Sequence, residues 1–173
     1  MEGLSPSDKA RYARHLTLPQ IGEEGQLLLK QSRVFCVGAG GLGSPSLLYL
    51  AAAGIGHLTI IDDDTIERSN LQRQILHSDE DVGTSKAESA MLRLRELNPT
   101  ISVQVHSERL TSENALKLIA NHDVLIDGTD NIPTRYLVND ACEILGIPWI
   151  YGSIFRFEGQ VSVFNLNDGP TYR

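Results

Sequence analysis

The chain has 173 residues, of which 41% are hydrophobic and 21% are charged, and these proportions are ordinary for one globular domain with a sizeable core. The formal net charge of −7 argues against a general nucleic-acid-binding protein, because phosphate backbones are held by an excess of lysine and arginine. No apolar run approaches the roughly 20 residues that span a bilayer, and the N-terminus lacks the pattern of a signal peptide. We therefore expect neither a nucleic-acid partner nor a membrane segment.

Cysteine usage indicates a reducing compartment. Cys36 falls in a predicted strand and Cys142 in a predicted helix, and neither belongs to a Cys-x-x-Cys pair. Two free thiols in the core are the interpretation that we favour, and a cytoplasmic location follows from it. The same spacing leaves no complete zinc site in the sequence.

The first predicted elements are helices. Ser5, followed by Pro6 and Asp8, is typical of a helix start, with Ser5 as the cap and Pro6 at the first helical position. We predict a short helix that carries Arg14 and a second helix over residues 23–31. Together they form an N-terminal helical segment ahead of the first strand.

Short segments rich in β-branched residues then alternate with helical patterns. The clearest helix covers residues 84–97, where apolar side chains recur at helical spacing. Residues 159–165 follow the preceding strand with no room for a crossover helix, so we expect them to pair antiparallel at one edge of the sheet. The other predicted strands are 33–37, 58–62, 101–106, 124–127 and 149–153, and the other helices are 111–121 and 133–145. This order predicts an α/β fold: Rossmann-like and doubly wound, with a mostly parallel sheet and an antiparallel edge strand.

A glycine-rich turn follows the first predicted strand. Gly38, Gly40 and Gly43 give the pattern G-x-G-x-x-G between a strand and a helix, and Gly41 adds another position without a side chain. Glycines let the backbone turn tightly and approach a phosphate, and the next helix offers unpaired N–H groups. Asp62 ends the second strand, where an acid accepts hydrogen bonds from ribose hydroxyls. The unit predicts a nucleotide site, although a tight turn without a ligand has the same pattern.

The glycines fit NAD and ATP equally well, so the choice depends on residues outside the turn. A triphosphate site needs cations and a magnesium-binding carboxylate near the glycines. Arg73 follows the second strand, Lys86 begins a helix and Asp130 follows the fourth strand. Each alone could be a solvated charge or, for Asp130, a helix cap, but their joint occurrence at strand ends favours a triphosphate. For Asp63 and Asp64, a role in the site and a solvated loop acid are equally open.

Five stretches of the chain carry a family resemblance. They are RYARH at 11–15, GAGGLGS at 38–44, DDDTIERSNLQRQ at 62–74, VGTSKAE at 82–88 and DGTDN at 127–131. In combination they resemble the adenylation domain of the ubiquitin-activating (E1-like) superfamily, on its ThiF/MoeB branch. Within that branch, residues 11–26 and 157–173 are most similar to molybdopterin-synthase adenylyltransferases of the MoeB type, and the thiamine-pathway ThiF type comes second.

The resemblance implies an ATP-dependent adenylyltransferase. Such an enzyme condenses ATP with the C-terminal glycine carboxylate of a ubiquitin-fold sulfur-carrier protein, and it releases an acyl-adenylate and pyrophosphate. The implied carrier is the small subunit of molybdopterin synthase, in molybdenum cofactor biosynthesis, with a thiamine-pathway carrier as the alternative. A homodimer and, as in some relatives, a rhodanese-like sulfurtransferase domain are also implied.

The resemblance also assigns roles to residues. Gly41 and Asp62 are expected to contact the nucleotide, and Asp130, with Asn131 beside it, is the expected Mg²⁺ partner. Arg14 corresponds to an arginine that is donated across the homodimer into the neighbouring site. The implied catalytic residues are Arg14, Arg73, Lys86 and Asp130, and the nucleotide-binding set adds Gly38, Gly40, Gly43, Ser69, Asn70, Leu71 and Gln72.

One typical region of the family lies outside the sequence. Family members carry two Cys-x-x-Cys pairs that bind a structural Zn²⁺, and the first pair begins just after the stretch that matches the end of this chain at Arg173. We therefore expect residues 1–173 to form the adenylation domain of a longer protein, truncated before the zinc-binding region, with no zinc ligand of its own.

Three other interpretations remain. An NAD-dependent oxidoreductase domain would suit the glycine turn, but it would give Arg73 and Lys86 no evident task. A non-catalytic scaffold, like the inactive halves of heterodimeric activating enzymes, would have lost the phosphate-contacting residues that are present here. A tRNA-modifying threonylcarbamoyladenosine dehydratase would need a basic surface, which fits poorly with a charge of −7.

Overall fold

The structure is a computed structural model that describes residues 3–173. Its helices and strands alternate along most of the chain, as the sequence predicts. In chain order they are α1 (Pro6–Arg11), α2 (Ala13–Leu16), α3 (Gly22–Gln31), β1 (Arg33–Val37), α4 (Gly43–Ala53), β2 (His57–Ile61), α5 (Lys86–Leu97), β3 (Ser102–His106), α6 (Ala115–Ile119), β4 (Val124–Asp127), α7 (Ile132–Leu145), β5 (Trp149–Phe155) and β6 (Glu158–Phe164). Short 3-10 helices cover Arg68–Asn70 and Asp79–Asp81.

The strands form one sheet in the order β3-β2-β1-β4-β5-β6. The first five strands in this order run parallel, and β6 pairs antiparallel with β5, from Trp149 opposite Phe164 to Phe155 opposite Glu158. The predicted α/β fold with an antiparallel edge strand is therefore confirmed. Because β1 lies between β2 and β4, the strand order reverses at β1, and the carboxyl ends of β1 and β4 flank the point at which open α/β sheets bind ligands.

Apolar side chains cover both faces of the sheet. Successive residues of a strand point to opposite faces, so Val34 and Cys36 join one core cluster while Phe35 joins the other. The first cluster includes side chains of α4 and α5, and the second includes side chains of α6 and α7. Cys36 and Cys142 are free and buried, as predicted, and burial raises the pKa of each thiol to about 12. None of the described helices is long and apolar enough to cross a membrane.

The N-terminal segment differs from the prediction in one respect. The Ser5 cap is confirmed, because its hydroxyl accepts a hydrogen bond from the Asp8 N–H at 3.1 Å. The helix that was expected to carry Arg14 is broken at Tyr12, which divides it into α1 and α2. Tyr12 is buried, and its hydroxyl accepts a hydrogen bond from Asn98 Nδ2 at 2.8 Å. Local sequence patterns could not indicate this contact, because Asn98 is distant from Tyr12 in the chain.

Most other elements match their predicted bounds to within one or two residues, and two differences have an evident structural cause. The helix predicted over residues 111–121 is shorter, because the Asn114 side chain accepts a hydrogen bond from the Thr111 N–H at 2.8 Å and residues 112–114 form turns. Strand β5 is longer than predicted and reaches Phe155, because its last residues pair with the start of β6. The shortened helix lies outside the cleft described next, whereas the two added residues of β5, Ile154 and Phe155, line it.

Candidate functional site

A cleft of about 1080 Å³ opens at the carboxyl edge of the sheet, beside the ends of β1 and β4. The turn after β1, residues 62–74 after β2 and residues 128–134 after β4 supply most of its lining. Nine of the predicted nucleotide-binding residues line it: Gly38, Gly40, Gly41, Asp62, Asn70, Arg73, Lys86, Asp130 and Asn131. Five predicted residues do not line it, namely Arg14, Gly43, Ser69, Leu71 and Gln72.

Two of the motif glycines serve packing. Gly38 has a φ of +93°, which side-chain-bearing residues rarely adopt, and a Cβ there would lie 3.2 Å from the carbonyl oxygen of Gly128. A Cβ on Gly43 would lie 2.1 Å from the carbonyl oxygen of Gly38. These glycines thus allow the turn to close on itself and to pack against the loop after β4. Gly43 is buried and does not line the cleft, so the structure gives it a packing role.

The other two motif glycines leave the surface of the cleft bare. A Cβ on Gly40 would come no closer than 3.5 Å to Gln74, and a Cβ on Gly41 would lie 3.5 Å from Arg73 Cδ. Both are ordinary contacts, so protein packing does not demand a glycine at either position. No backbone hydrogen bond within residues 3–173 uses the N–H of Gly40, Gly41 or Leu42. Free N–H groups at the start of a helix are suited to bind phosphate.

The peptide of Ala39 is held from both sides. Its N–H donates to Asp62 Oδ2 at 2.7 Å, and its carbonyl oxygen accepts from Ser44 Oγ at 3.0 Å. The same carbonyl lies 3.1 Å from His77 Nε2. A carbonyl can only accept, so Nε2 carries the proton, and Nδ1 accepts from the Ser89 hydroxyl at 2.9 Å. Burial lowers the pKa of His77 and so favours this neutral form. No sequence motif indicated His77.

Asp62 connects the glycine turn to the loop after β2. Besides its bond to Ala39, its Oδ1 accepts from the Asp64 N–H at 2.9 Å. Burial raises the pKa of Asp62, and these two N–H bonds and the charge of Lys86 oppose that rise. Each carboxylate oxygen has a second lone pair. Asp62 can therefore accept a hydrogen bond from a ribose hydroxyl while it keeps both backbone bonds.

Lys86 is the first residue of α5, and its side chain is buried at the cleft. Its Nζ lies 2.7 Å from Asp64 Oδ2, so the ammonium already has one carboxylate partner in the protein. Of the two acids whose role the sequence left open, Asp64 thus forms an ion pair. The structure gives Asp63 no hydrogen bond or ion pair within the described residues.

The segment between Glu67 and Arg73 orders itself. Asn70 Oδ1 accepts from the Glu67 N–H at 3.1 Å, which closes the 3-10 turn. The Arg73 guanidinium donates to the Ser69 carbonyl at 3.3 Å and to Gln72 Oε1 at 3.1 Å. Ser69 and Gln72, which do not line the cleft, therefore support Arg73, which does.

Asp130 and Asn131 have different environments. Asn131 caps α7, because its Oδ1 accepts from the Thr134 N–H at 2.9 Å. The alternative in which Asp130 caps this helix is therefore wrong. The Asp130 side chain is exposed at the cleft and has no hydrogen bond or ion pair to any described residue. Such an unengaged carboxylate is the type of oxygen ligand that Mg²⁺ takes.

The acids after β2 form a second group that could hold a cation. One ligand oxygen from each of Asp62, Asp63 and Asp64 lies within 4.8 Å of the others. Asp62 is half-buried, whereas its two neighbours are exposed. In this arrangement Asp62 and Asp64 already accept or donate hydrogen bonds within the protein, so Asp130 is the less committed carboxylate.

Arg135 is a buried residue of the cleft that the sequence reasoning missed. Its Nη2 donates to the carbonyl oxygens of Thr129 at 3.0 Å and Gly152 at 3.2 Å, and its Nε lies 3.5 Å from Asp127 Oδ2. Burial raises the pKa of Asp127. Arg135 therefore ties the loop after β4 to β5. The buried face of α7 also carries the polar residues Thr134 and Asn139, so its helical pattern did not single out Arg135.

Arg14 lies outside the cleft of its own chain. It sits in α2 with an exposed side chain, and its carbonyl accepts from the Thr17 hydroxyl at 2.8 Å.

Comparison with known proteins identifies the family. A family model described as the ThiF family matches residues 12–173. The chain belongs to the ThiF family. This membership confirms the resemblance inferred from the five sequence stretches. The cleft of this ThiF-family chain lies at the carboxyl edge of the sheet, where open α/β folds bind ligands.

Curated relatives of this ThiF-family chain are named as adenylyltransferases. It is 55% identical over 169 residues to a probable molybdopterin-synthase adenylyltransferase of Porphyra purpurea, which covers 98% of this chain and 44% of the relative. It is 54% identical over 167 residues to a probable adenylyltransferase/sulfurtransferase MoeZ of Mycobacterium tuberculosis, which covers 96% of this chain and 42% of the relative. The chain thus spans less than half the length of these two relatives.

A solved structure shares this fold. The ThiF-family chain superposes on E. coli MccB, solved with ATP, with a TM-score of 0.84 and 28% sequence identity. The match covers 94% of this chain and 50% of that chain.

Proposed function

We propose that this chain binds ATP in the cleft and adenylates the C-terminal carboxylate of a ubiquitin-like sulfur-carrier protein. One observation carries the proposal: two cationic side chains, Arg73 and Lys86, and the unengaged carboxylate of Asp130 line one cleft with a glycine turn whose N–H groups are free. The names of the curated relatives support the same reaction class.

The reaction requires electrostatic help. A carboxylate that attacks the α-phosphate of ATP approaches a polyanion, and positive groups lower the energy of the transition state. Arg73 and Lys86 supply two such charges, and the free N–H groups of Gly40 and Gly41 supply oriented dipoles. No side-chain nucleophile is needed, because the substrate carboxylate is itself the nucleophile. Cys36 and Cys142 are accordingly buried with pKa values of about 12, which keeps both as unreactive thiols.

Magnesium fits the residues that are present. Asp130 offers an oxygen ligand without a competing partner inside the protein. When bound, Mg²⁺ would neutralise phosphate charge. The buried Arg135 holds the loop that carries Asp130, since it binds the carbonyls of Thr129 and Gly152. Asp130 would therefore meet a metal–nucleotide complex from an ordered backbone.

The small subunit of molybdopterin synthase is the carrier that we favour, because a relative with 55% identity is named for that pathway. A thiamine-pathway carrier is the alternative. The homodimer, in which Arg14 enters the neighbouring site, is supported by the position of Arg14 outside its own cleft. A Zn²⁺ site, a sulfurtransferase domain and a cytoplasmic location stay predictions about the whole protein, of which residues 1–173 would be the adenylation domain.

Calorimetric titration tests the nucleotide part of the proposal. The chain is expected to bind ATP in the presence of Mg²⁺ and not NAD⁺, whereas NAD⁺ binding without ATP binding would support the oxidoreductase alternative. Exchange of labelled pyrophosphate into ATP, dependent on an added carrier with a free C-terminal glycine, tests the chemistry. Arg73→Ala and Asp130→Ala are expected to abolish the exchange without unfolding the domain, and exchange at the unsubstituted rate in either variant would contradict the site.

Mixing variants tests the shared site. In a mixture of Arg14→Ala and Lys86→Ala chains, a heterodimer contains one site with neither substitution. We therefore expect partial recovery of pyrophosphate exchange. If subunits exchange and no activity returns, Arg14 acts in its own chain or has no role.

A further inference from the structure

We propose that Asp64 is a positioning residue, which holds the Lys86 ammonium at the cleft so that it meets the triphosphate. This inference rests on the proposed function, because the ligand that Lys86 would meet is ATP. Both residues line the cleft. Asp64 acts through Lys86 and not through contact with the reacting atoms.

Lys86 depends on Asp64 for its counter-ion. Lys86 is only 6% exposed, and an ammonium so removed from water is unfavourable unless it has an anionic partner. Among the described residues, Asp64 supplies the one carboxylate within ion-pair distance of Nζ, at 2.7 Å. The backbone repeats the contact, because the Lys86 N–H donates to the Asp64 carbonyl at 3.0 Å. The pair is therefore joined at two points.

Asp64 is itself fixed to the glycine turn. Its N–H donates to Asp62 Oδ1 at 2.9 Å, and Asp62 Oδ2 accepts from the Ala39 N–H at 2.7 Å. A continuous set of hydrogen bonds thus runs from Ala39 through Asp62 and Asp64 to Lys86. These bonds fix the position of the Lys86 ammonium relative to the glycine turn, which would bind the phosphates.

The ion pair leaves Lys86 able to bind a ligand. An ammonium has three donors, and Asp64 accepts from one of them. The side chain of Asp64 is 66% exposed, so water screens its charge from a nearby phosphate. Asp64 can therefore orient Lys86 without a strong repulsion of ATP.

The neighbouring acid is a matched control. Asp63 carries the same charge, lines the same cleft and is exposed, but within residues 3–173 it forms no ion pair or hydrogen bond. Asp63→Asn and Asp64→Asn therefore change the net charge equally, and both remove the same general repulsion of a polyanion. Only Asp64→Asn removes the partner of Lys86.

The test is calorimetric titration of ATP at a fixed Mg²⁺ concentration, repeated without Mg²⁺. We expect Asp64→Asn to bind ATP about tenfold more weakly than Asp63→Asn, since hydrogen bonds to charged groups are among the stronger ones. Asp64→Glu restores a carboxylate and is expected to bind within about threefold of the unsubstituted chain. In a Lys86→Met background, adding Asp64→Asn should cause no further loss, because Asp64 acts only through Lys86.

Several results would overturn the inference. One is equal affinity of Asp63→Asn and Asp64→Asn, and another is a tenfold loss that persists in the Lys86→Met background. A loss shared by both Asn variants and seen only with Mg²⁺ would instead make the acids a metal site. If the unsubstituted chain binds no ATP, the proposed function itself fails, whereas ATP binding with equal Asn variants contradicts this inference alone.

Folding is checked by thermal unfolding of every variant. If Asp64→Asn alone does not fold, the double variant with Lys86→Met, which leaves no lone buried charge, is compared with Lys86→Met alone. Equal ATP affinities are then expected, and weaker binding by the double variant would refute the role of Asp64.

Discussion

Substitution of the motif glycines by alanine should separate folding from nucleotide binding. In Gly43→Ala the new methyl would lie 2.1 Å from the carbonyl oxygen and 2.8 Å from the carbonyl carbon of Gly38. Both are backbone atoms, which cannot swing aside as the end of a flexible side chain can, so the turn itself would have to shift. Overpacking costs about 1–3 kcal/mol and sometimes more, and this contact belongs at the upper end.

The expected change in melting temperature follows from the size of the domain. For a chain of this length, about 1 kcal/mol corresponds to roughly 2–4 °C, so Gly43→Ala should melt about 6–12 °C lower. In Gly41→Ala the methyl meets Arg73 Cδ at 3.5 Å, an ordinary contact with a flexible side chain, and Gly41 does not have a positive φ. Its melting temperature should stay the same or rise slightly, since alanine restricts the unfolded chain.

ATP binding should show the opposite order. The Gly41→Ala methyl projects into the cleft, so we expect its ATP affinity to fall by about tenfold or more, equivalent to about 1.4 kcal/mol. Thermal unfolding followed by circular dichroism and calorimetric titration of ATP measure the two effects. Gly159→Ala, on exposed β6 with its nearest neighbour at 4.0 Å, is the control and should change neither. Unsubstituted ATP affinity in Gly41→Ala, or an unchanged melting temperature in Gly43→Ala, would refute the division of the motif.

Three further predictions concern single side chains. Asn131→Ala should lose the cap of α7 and about 1 kcal/mol of stability. Asp130→Ala should keep the unsubstituted melting temperature and lose pyrophosphate exchange. Equal melting temperatures in the two variants would contradict the cap assignment. Arg135→Lys keeps the charge but offers one nitrogen where the guanidinium donates from Nη2 to two backbone carbonyls and from Nη1 to the Tyr151 hydroxyl. Urea unfolding should therefore show a loss of about 2–3 kcal/mol, and no loss would mean that the network is dispensable. Burial lowers the pKa of His77 and of His122 below the ordinary value of 6.5, so the unfolded chain binds more protons than the folded chain in this pH range. The free energy of unfolding should therefore fall as the pH drops from 6.5 through the folded-state pKa values. His77→Gln and His122→Gln should each flatten that decline in urea unfolding, and an unchanged slope would count against it.

Much of the fold could be predicted because local patterns decide it. The apolar run before Gly38 forms a central parallel strand that is buried on both faces, and such strands are nearly continuous in hydrophobicity. The lack of room for a crossover helix after β5 indicated the antiparallel edge. The break at Tyr12 could not be predicted, because its partner Asn98 lies 86 residues away.

The sequence was sufficient to predict which charged residues line the site, but not which of them contact one another. Strand ends meet at one edge of a parallel sheet, so the expectation that Arg73, Lys86 and Asp130 share a cleft followed from their positions after strands and at a helix start. Which acid pairs with Lys86 depends on side-chain packing, and the sequence left that question open for Asp64. Arg135 was missed for the same reason, because its partners belong to loops that only the tertiary fold brings together.

The hydrogen bond between the Ala39 N–H and Asp62 couples recognition of the ribose to recognition of the phosphates. One carboxylate, that of Asp62, holds the glycine turn through Ala39 and is also the expected partner of the sugar. The turn is therefore already shaped before a ligand arrives, and little ordering entropy has to be lost on binding. A substitution of Asp62 that altered the preference for a sugar would also remove the hydrogen bond that holds the glycine turn. The sugar preference and the geometry of the phosphate site therefore cannot change independently. In evolutionary terms, such a shared residue should restrain drift between nucleotide classes more strongly than the glycines themselves do.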